Sequence, residues 1–315
     1  MSKPIFVDPV LDGAADPVVI RNRESGEWWM FYTNRRANLG TPGGGWIQGT
    51  PIGYAVSNDH GLSWEYRGQV AGLDDPAHPG LNTHWAPEII FGLGEYHMYL
   101  SYTEGAPEHF DVERQIVHLT SPDLVNGTRR SVLPLNSRRV IDAAVALCPD
   151  DVYRLWYKDE LGGSATWSAV STNLYDWTLE GMVIPGKPDG LPHEGPNVFE
   201  LGGRIWLVVD EWHGMGVFHS TDAKTWTRQG VILGEPGSDP MDRCYARHGD
   251  VVVQDGFAAL FYFTHPEWDE HAKPVPETNR ERRTVIHVAR LWVEDGVLKA
   301  DRDVEPMRLE KWPQM

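Results

Sequence analysis

One pattern, met five times along the chain, restricts what it can fold into. Each unit has a short apolar run, a turn, an aromatic-rich run, a loop, and a third run ending in a polar turn. The first unit runs through Ala15-Asp16-Pro17-Val18, Trp28-Trp29-Met30-Phe31-Tyr32 and Ile52-Gly53-Tyr54-Ala55-Val56-Ser57. The second starts at His84-Trp85-Ala86-Pro87-Glu88, the third at Ile141-Asp142, the fourth at His193-Glu194-Gly195-Pro196 and the fifth at Arg247-His248-Gly249-Asp250. In the fourth, Gly202-Gly203 separates two apolar runs, a hairpin signal because tight turns take residues that accept positive φ. After a longer first unit the starts recur at about fifty residues, the length of a four-stranded propeller blade with its loops. A Ser-x-Asp/Asn turn leading to tryptophan recurs at Ser57, Ser171 and Ser220, the polar side chain capping its own turn while the indole packs between sheets. No helical periodicity of useful length interrupts this. The expected fold is all-β, a single five-bladed β-propeller over residues 1–315, with blades at 14–70, 84–135, 140–186, 193–235 and 246–300.

Composition narrows the function. A net charge of -17 argues against nucleic acid or an anionic membrane as partner, since both need a basic patch. Cys148 and Cys244 are far apart and outside any C-x-x-C pattern, so neither a disulfide framework nor a zinc site is implied. No apolar run approaches the ~18 residues of a membrane span, and Met1 to Val10 lacks the pattern of a secretory signal; the expectation is a cytoplasmic protein. Oligomeric state is not legible.

In a propeller the first strand of each blade is innermost, so its first residues converge on the central channel. Those positions carry Asp16, Glu88 with His84 and Trp85, Asp142, Glu194 with His193, and His248. One carboxylate at a strand start is usually a solvated end residue. An ionisable group at every unit start points to a site. Two carboxylates across a channel mouth suit glycoside hydrolysis with inversion, where an acid protonates the leaving oxygen and a base about 6.5–9.5 Å away activates water. On this reading the Asp142 carboxylate raises the pKa of Glu194 by like-charge repulsion. Trp46, Trp85, Trp156 and Trp212 are candidates for stacking on sugar faces, though most of the 14 tryptophans must be core.

Taken together, Ala15-Asp16-Pro17, Trp85-Ala86-Pro87-Glu88, Ile141-Asp142, Glu194-Gly195-Pro196 and Arg247-His248-Gly249-Asp250 resemble the blade-start motifs of glycoside hydrolase family 43. The resemblance implies Asp16 as general base, Asp142 as the residue that tunes and orients the acid, and Glu194 as general acid. The expected substrate contacts are His84, Trp85, Glu88, Trp46, Trp156 and Arg247. The resemblance also places His248 beside a divalent cation, calcium, in the channel, with no organic cofactor. The expected activity is exo-acting release of a terminal arabinofuranose- or xylose-type sugar from small oligosaccharides.

His193-Glu194 is similar to the His-Glu pair of family 117, which removes 3,6-anhydro-L-galactose from agar oligosaccharides, and implies His193 as an alternative acid. A non-catalytic sugar-binding propeller is a further alternative, although it has no need of carboxylates in three blades. A fructan-cleaving enzyme would open on Asn-Asp-Pro-Asn-Gly, which is absent; a sialidase would need an arginine triad. A phosphorolytic propeller would need a basic pocket, for which Arg35, Arg36 and Arg247 are available. Two insertions, Asn34 to Pro51 with Trp46 and His265 to Arg283, join second to third strands and are expected to close over the channel mouth.

Overall fold

A computed structural model describes residues 4–41, 43–187, 193–270, 272–273 and 275–310. Twenty strands form five antiparallel sheets, each a meander whose strands pair in chain order. Blade one contains β1 (Ala14–Arg21), β2 (Trp28–Asn34), β3 (Ile52–Ser57) and β4 (Glu65–Gln69). Blade two contains β5 (Thr83–Gly92), β6 (Glu95–Thr103), β7 (Gln115–Ser121) and β8 (Thr128–Val132). Blade three contains β9 (Val140–Leu147), β10 (Tyr153–Asp159), β11 (Ala165–Ser171) and β12 (Thr178–Ile184). Blade four contains β13 (Glu194–Leu201), β14 (Arg204–Asp210), β15 (Met215–Ser220) and β16 (Thr227–Ile232). Blade five contains β17 (Arg247–Val253), β18 (Ala258–Thr264), β19 (Val285–Glu294) and β20 (Val297–Asp301). The first strands close a ring, β1 against β5, β5 against β9, β9 against β13, β13 against β17 and β17 against β1. This is a five-bladed β-propeller.

Second strands such as Trp28–Asn34 are buried almost throughout because sheets cover both of their faces, which is why they read as unbroken apolar runs rather than alternating ones. The core is accordingly five inter-blade layers. One joins blades five and one through Met30, Phe261 and Ile286, and another joins three and four through Trp156, Leu207 and Phe218.

The polar turns bind these layers. Ser57 donates to Asp59 at 2.8 Å, Ser171 to Asn173 at 3.1 Å and Ser220 to Asp222 at 2.9 Å, each followed by a residue of positive φ, His60, Leu174 and Ala223. Blade two has the same turn at Ser121–Asp123 without the tryptophan. The tryptophan that follows each of the other three meets an aromatic ring of the preceding blade edge-on: Trp64 on Phe261, Trp177 on Tyr99, Trp226 on Trp156.

The ring is closed by the N-terminal segment. Phe6 bridges Ile286 of β19, with Ile5 N–H donating to Ile286 O at 2.9 Å and Ile286 N–H to Phe6 O at 3.0 Å. β20 pairs only with Arg290 to Glu294 of β19, which leaves the other end of that strand open to this addition. Asp8 fixes the segment, accepting from Tyr32 at 2.6 Å and Asn34 at 3.0 Å. Cys148 and Cys244 are both free thiols. Among the described residues no helix is long and apolar enough to cross a membrane.

If the turn tryptophans are inter-blade wedges, Trp177→Ala should destabilise the protein by about 3–5 kcal/mol, as large-to-small core substitutions do. Urea unfolding reads this as a lower midpoint at unchanged slope; a loss below about 1 kcal/mol would show that Trp177 merely covers the blade edge.

Candidate active site

Every inner strand breaks register where it enters the channel. The shifts fall between Ala15 and Val18, Trp85 and Glu88, opposite Trp156 and Lys158, between Glu194 and Asn197, and between Arg247 and Gly249. In four blades the bulged residue is left-handed: Asp16 (φ 49°), Ala86 (φ 44°), Asp142 (φ 59°) and Gly195 (φ 57°). Such a bulge turns a side chain away from the pleat and towards the channel mouth. The unit starts are therefore not all equivalent, contrary to the sequence expectation. Asp16 and Asp142 occupy the bulge itself, Glu194 precedes it by one residue, and Glu88 follows Ala86 by two.

The bulges leave N–H groups that the preceding blade satisfies. Ala86 N–H donates to Thr33 Oγ1 at 2.8 Å, Asp142 N–H to Ser101 Oγ at 2.9 Å and His248 N–H to Asp210 Oδ2 at 3.1 Å. Thr33, Ser101 and Asp210 sit at matching places on second strands, opposite Ala15, Trp85 and Glu194. In blade three that place holds Lys158, opposite Ile141, which cannot accept. There Gly195 N–H donates instead to Asp142 Oδ2 at 3.0 Å, and the Lys158 ammonium turns to Glu194 Oε2 at 2.9 Å.

A compact charged cluster results. Glu194 also accepts from Trp212 Nε1 at 3.0 Å. His248 Nδ1 faces Asp16 Oδ1 at 3.7 Å and Asp142 Oδ2 at 3.9 Å. Arg35 pairs with Asp16 at 3.3 Å, and Arg247 with the half-buried Glu270. Burial pushes Asp142 up, and the Glu194 and Asp16 charges add to that. Burial also pushes Glu194 up, but the Lys158 ammonium outweighs it and brings this carboxyl down to about 2. The sequence expectation of a raised Glu194 is thus reversed: the carboxylate beside the lysine stays ionised, and its neighbour Asp142 is the one held towards the acid form. Burial raises Asp210 to about 6 against the pull of Arg247, the Glu194 charge adding to the rise.

Above the cluster lies a cavity of about 600 Å³. Glu194, Asp210, Trp212 and Arg247 form its floor side, and both insertions contribute, through Trp46 and Ile47 on one and His265, Trp268 and Pro276 on the other. The insertions are tied together: Arg282 Nη1 donates to Thr41 O at 2.9 Å, and Trp46 meets His265 edge-on. Asp16 and Asp142 lie beneath this wall, reached through Arg35 and His248.

Several residues expected at the site stand elsewhere. Trp156 is fully buried between blades three and four, because its second strand is sandwiched by sheets. His84 packs on Tyr102 and meets Thr50 O at 3.1 Å, away from the cavity lining. Trp85 supports the wall indirectly, its Nε1 donating to Ile47 O at 2.6 Å. Glu88 lies deeper in the channel, accepting from Val145 N–H at 2.8 Å and raised by burial and by the Asp250 charge. His193 is 2% exposed and meets Thr166 Oγ1 at 2.8 Å. Neighbours in an extended segment point to opposite sides, so with Glu194 facing the cavity His193 faces away; burial and Lys158 lower it to about 4, leaving it neutral near pH 7.

Calcium takes six to eight oxygens as a rule. Among the described residues no three His, Cys, Asp or Glu side chains are grouped to hold an ion. The groups around His248 do not fit a protein-built calcium cage.

Residues 8–253 match the family described as a probable glycosyl hydrolase domain, related to family 43. The chain belongs to that family. It is a glycoside hydrolase. A crystal structure of a thermostable family-43 glycoside hydrolase superposes with a TM-score of 0.71 at 18% identity, covering 97% of this chain and 100% of the other. The GH43_1 enzyme from Xanthomonas citri complexed with xylotriose gives 0.68 at 17% identity, covering 95% and 92%. Likeness at such identity reflects the fold. A probable sucrose-6-phosphate hydrolase of Psychromonas ingrahamii is 30% identical over 158 residues, 44% of this chain and 28% of the relative, so the match spans under a third of that protein's length.

Gly195 should tolerate no side chain. Its φ is 57°, and a Cβ there would stand 2.3 Å from His248 Cγ. Gly195→Ala should displace His248 and loosen the Gly195–Asp142 bond, lowering kcat by about 10²-fold or more, as misplacement by an ångström does. Full activity in a correctly folded variant would remove this cluster from the catalytic machinery.

Proposed function

We propose that the protein is an inverting, exo-acting glycosidase that releases a terminal arabinofuranose- or xylose-type sugar from small oligosaccharides. In this reading Asp16 is the general base, Glu194 the general acid and Asp142 the residue that orients and tunes it. The observation that carries it is the convergence of carboxylates from three blades beneath a cavity walled by two insertions. A cavity closed on that side receives a chain end rather than the middle of a polymer. Trp46 and Trp212 supply flat apolar faces on its lining for the sugar ring.

Glu194 rests as a carboxylate, so its proton must be acquired before the leaving oxygen can be protonated. Asp210, raised to about 6 on the same wall, holds a proton closer to operating pH than an ordinary carboxyl does. Only protonated Glu194 is competent as acid, and its low pKa places the basic limb of kcat/KM at acidic pH. Lys158→Met removes the nearest positive charge and leaves burial to dominate, which should move that limb upward by about 1–3 pH units. An unmoved limb would mean that another group, Asp210 first among them, is the donor; Asp210→Asn would then abolish the limb.

Aryl arabinofuranosides, aryl xylosides and neoagaro-oligosaccharides, assayed with wild type, Asp16→Asn, Glu194→Gln and His193→Ala, test the assignment directly. One sugar should be released with inverted anomeric configuration, both carboxylate variants should lose about 10²–10⁴-fold, and His193→Ala should stay within a few-fold of wild type. Turnover confined to the agar-derived substrates and lost with His193 would restore the histidine-acid reading. Sugar binding without turnover of any member would make this a binding propeller.

A further inference from the structure

Four cationic side chains approach the cavity or its floor, and three have a carboxylate. Arg35 pairs with Asp16, Arg247 with Glu270 and Lys158 with Glu194. The fourth, Arg282, is at the end of α1 (Asn279–Arg282), lines the cavity and is 6% exposed. Its Nη1 donates to the carbonyls of Thr41 at 2.9 Å and Leu39 at 3.5 Å. Its Nε is buried without any acceptor, and its recorded partners among the described residues are carbonyls rather than carboxylates. Glu277, the nearby acid on the cavity wall, is turned to Lys273 at 3.4 Å.

A guanidinium so nearly buried without a counter-charge is costly, and a purely structural tie between two loops does not need one. A second loop arginine shares the condition. Arg36 donates to Gly45 O at 2.9 Å, its Nε is buried without an acceptor, and burial lowers its pKa. The chain as a whole carries -17, yet each insertion holds one arginine without a carboxylate partner among the described residues, and Arg282 lines the cavity above the carboxylate cluster.

We infer that Arg282 is an anion subsite: the substrate carries an oxyanion, a sugar carboxylate or a sugar phosphate ester, which completes the charge balance of the lid. This rests on the glycosidase reading and names the substrate class within it. The planar guanidinium has Nε and Nη2 on one edge, the arrangement that takes two oxygens of an oxyanion side by side. The aromatic walls hold the ring, the floor carboxylates face the glycosidic bond, and the lid reads the charge.

Equilibrium binding of glucuronate, glucose 6-phosphate and glucose, by calorimetry at low ionic strength, tests this independently of turnover. One of the two anionic sugars should bind about 10-fold or more tighter than glucose, and the preference should fall as sodium chloride is raised. Which one wins identifies the oxyanion as carboxylate or phosphate. Arg282→Met should erase the preference, bringing the anionic sugar to the affinity of glucose measured in the same variant, and Arg282→Lys, which keeps the charge and a donor for Thr41 O, should retain part of it. Equal binding of all three sugars, no binding of either anion, or a preference that survives Arg282→Met in a variant with wild-type thermal midpoint would each overturn the subsite. Equal binding combined with turnover of neutral aryl glycosides would do so while leaving the glycosidase reading intact.

Discussion

The site depends on a backbone requirement: each inner strand bulges at the channel mouth, and the N–H it frees must find an acceptor. The preceding blade supplies one in a regular way, from Thr33, Ser101 and Asp210 on second strands. Where it is present, this staple ties the second strand of one blade to the inner strand of the next. It also fixes where the bulge side chains point, because the same residues carry both jobs. Blades three and five depart from this, with Lys158 and Phe263 at that position, and the chemistry gathers around blade three. With Lys158 at the acceptor position, Asp142 must reach across to Gly195, and the freed ammonium settles on Glu194.

That exchange distributes the charge of the whole cluster. Asp142 and Asp210 are buried and Glu194 is half-buried, and desolvation alone would raise all three. The lysine lets one stay ionised, and its negative charge keeps the other two nearer their acid forms. Three identical functional groups thereby acquire different proton affinities from backbone geometry and one cation, the separation acid–base chemistry needs.

The blade count was readable from sequence because each blade repeats the same local signals, an apolar strand, an aromatic-rich strand and a Ser-x-Asp turn. Asp16, Asp142 and Glu194 were readable because bulges leave a mark, a carboxylate beside Pro17, Ala143 or Gly195-Pro196. Lys158 and Asp210 left none. They end second strands, and only the register of those strands turns them to the channel rather than to solvent. Trp156 failed as a stacking residue for a related reason: composition counts aromatics but cannot tell a sandwiched strand from a cavity wall. His193 was misleading by adjacency, since a residue next to a catalytic candidate in an extended segment is directed away from it. Arg282 lay in the polar run Arg280-Glu281-Arg282-Arg283, where one arginine resembles any solvated charge.

The Phe6–Ile286 bridge joins segments from opposite ends of the chain. During synthesis four blades can leave the ribosome with their own hairpins paired, yet the ring has no fifth neighbour and β1 keeps one face bare. The layer formed by Phe6, Met30, Phe261 and Ile286 exists only after blade five has emerged. The carboxylate cluster spans that same seam, with Asp16 on one side and His248 on the other. A nascent or truncated chain that lacks blade five is therefore an open ring with neither a complete core nor a complete site.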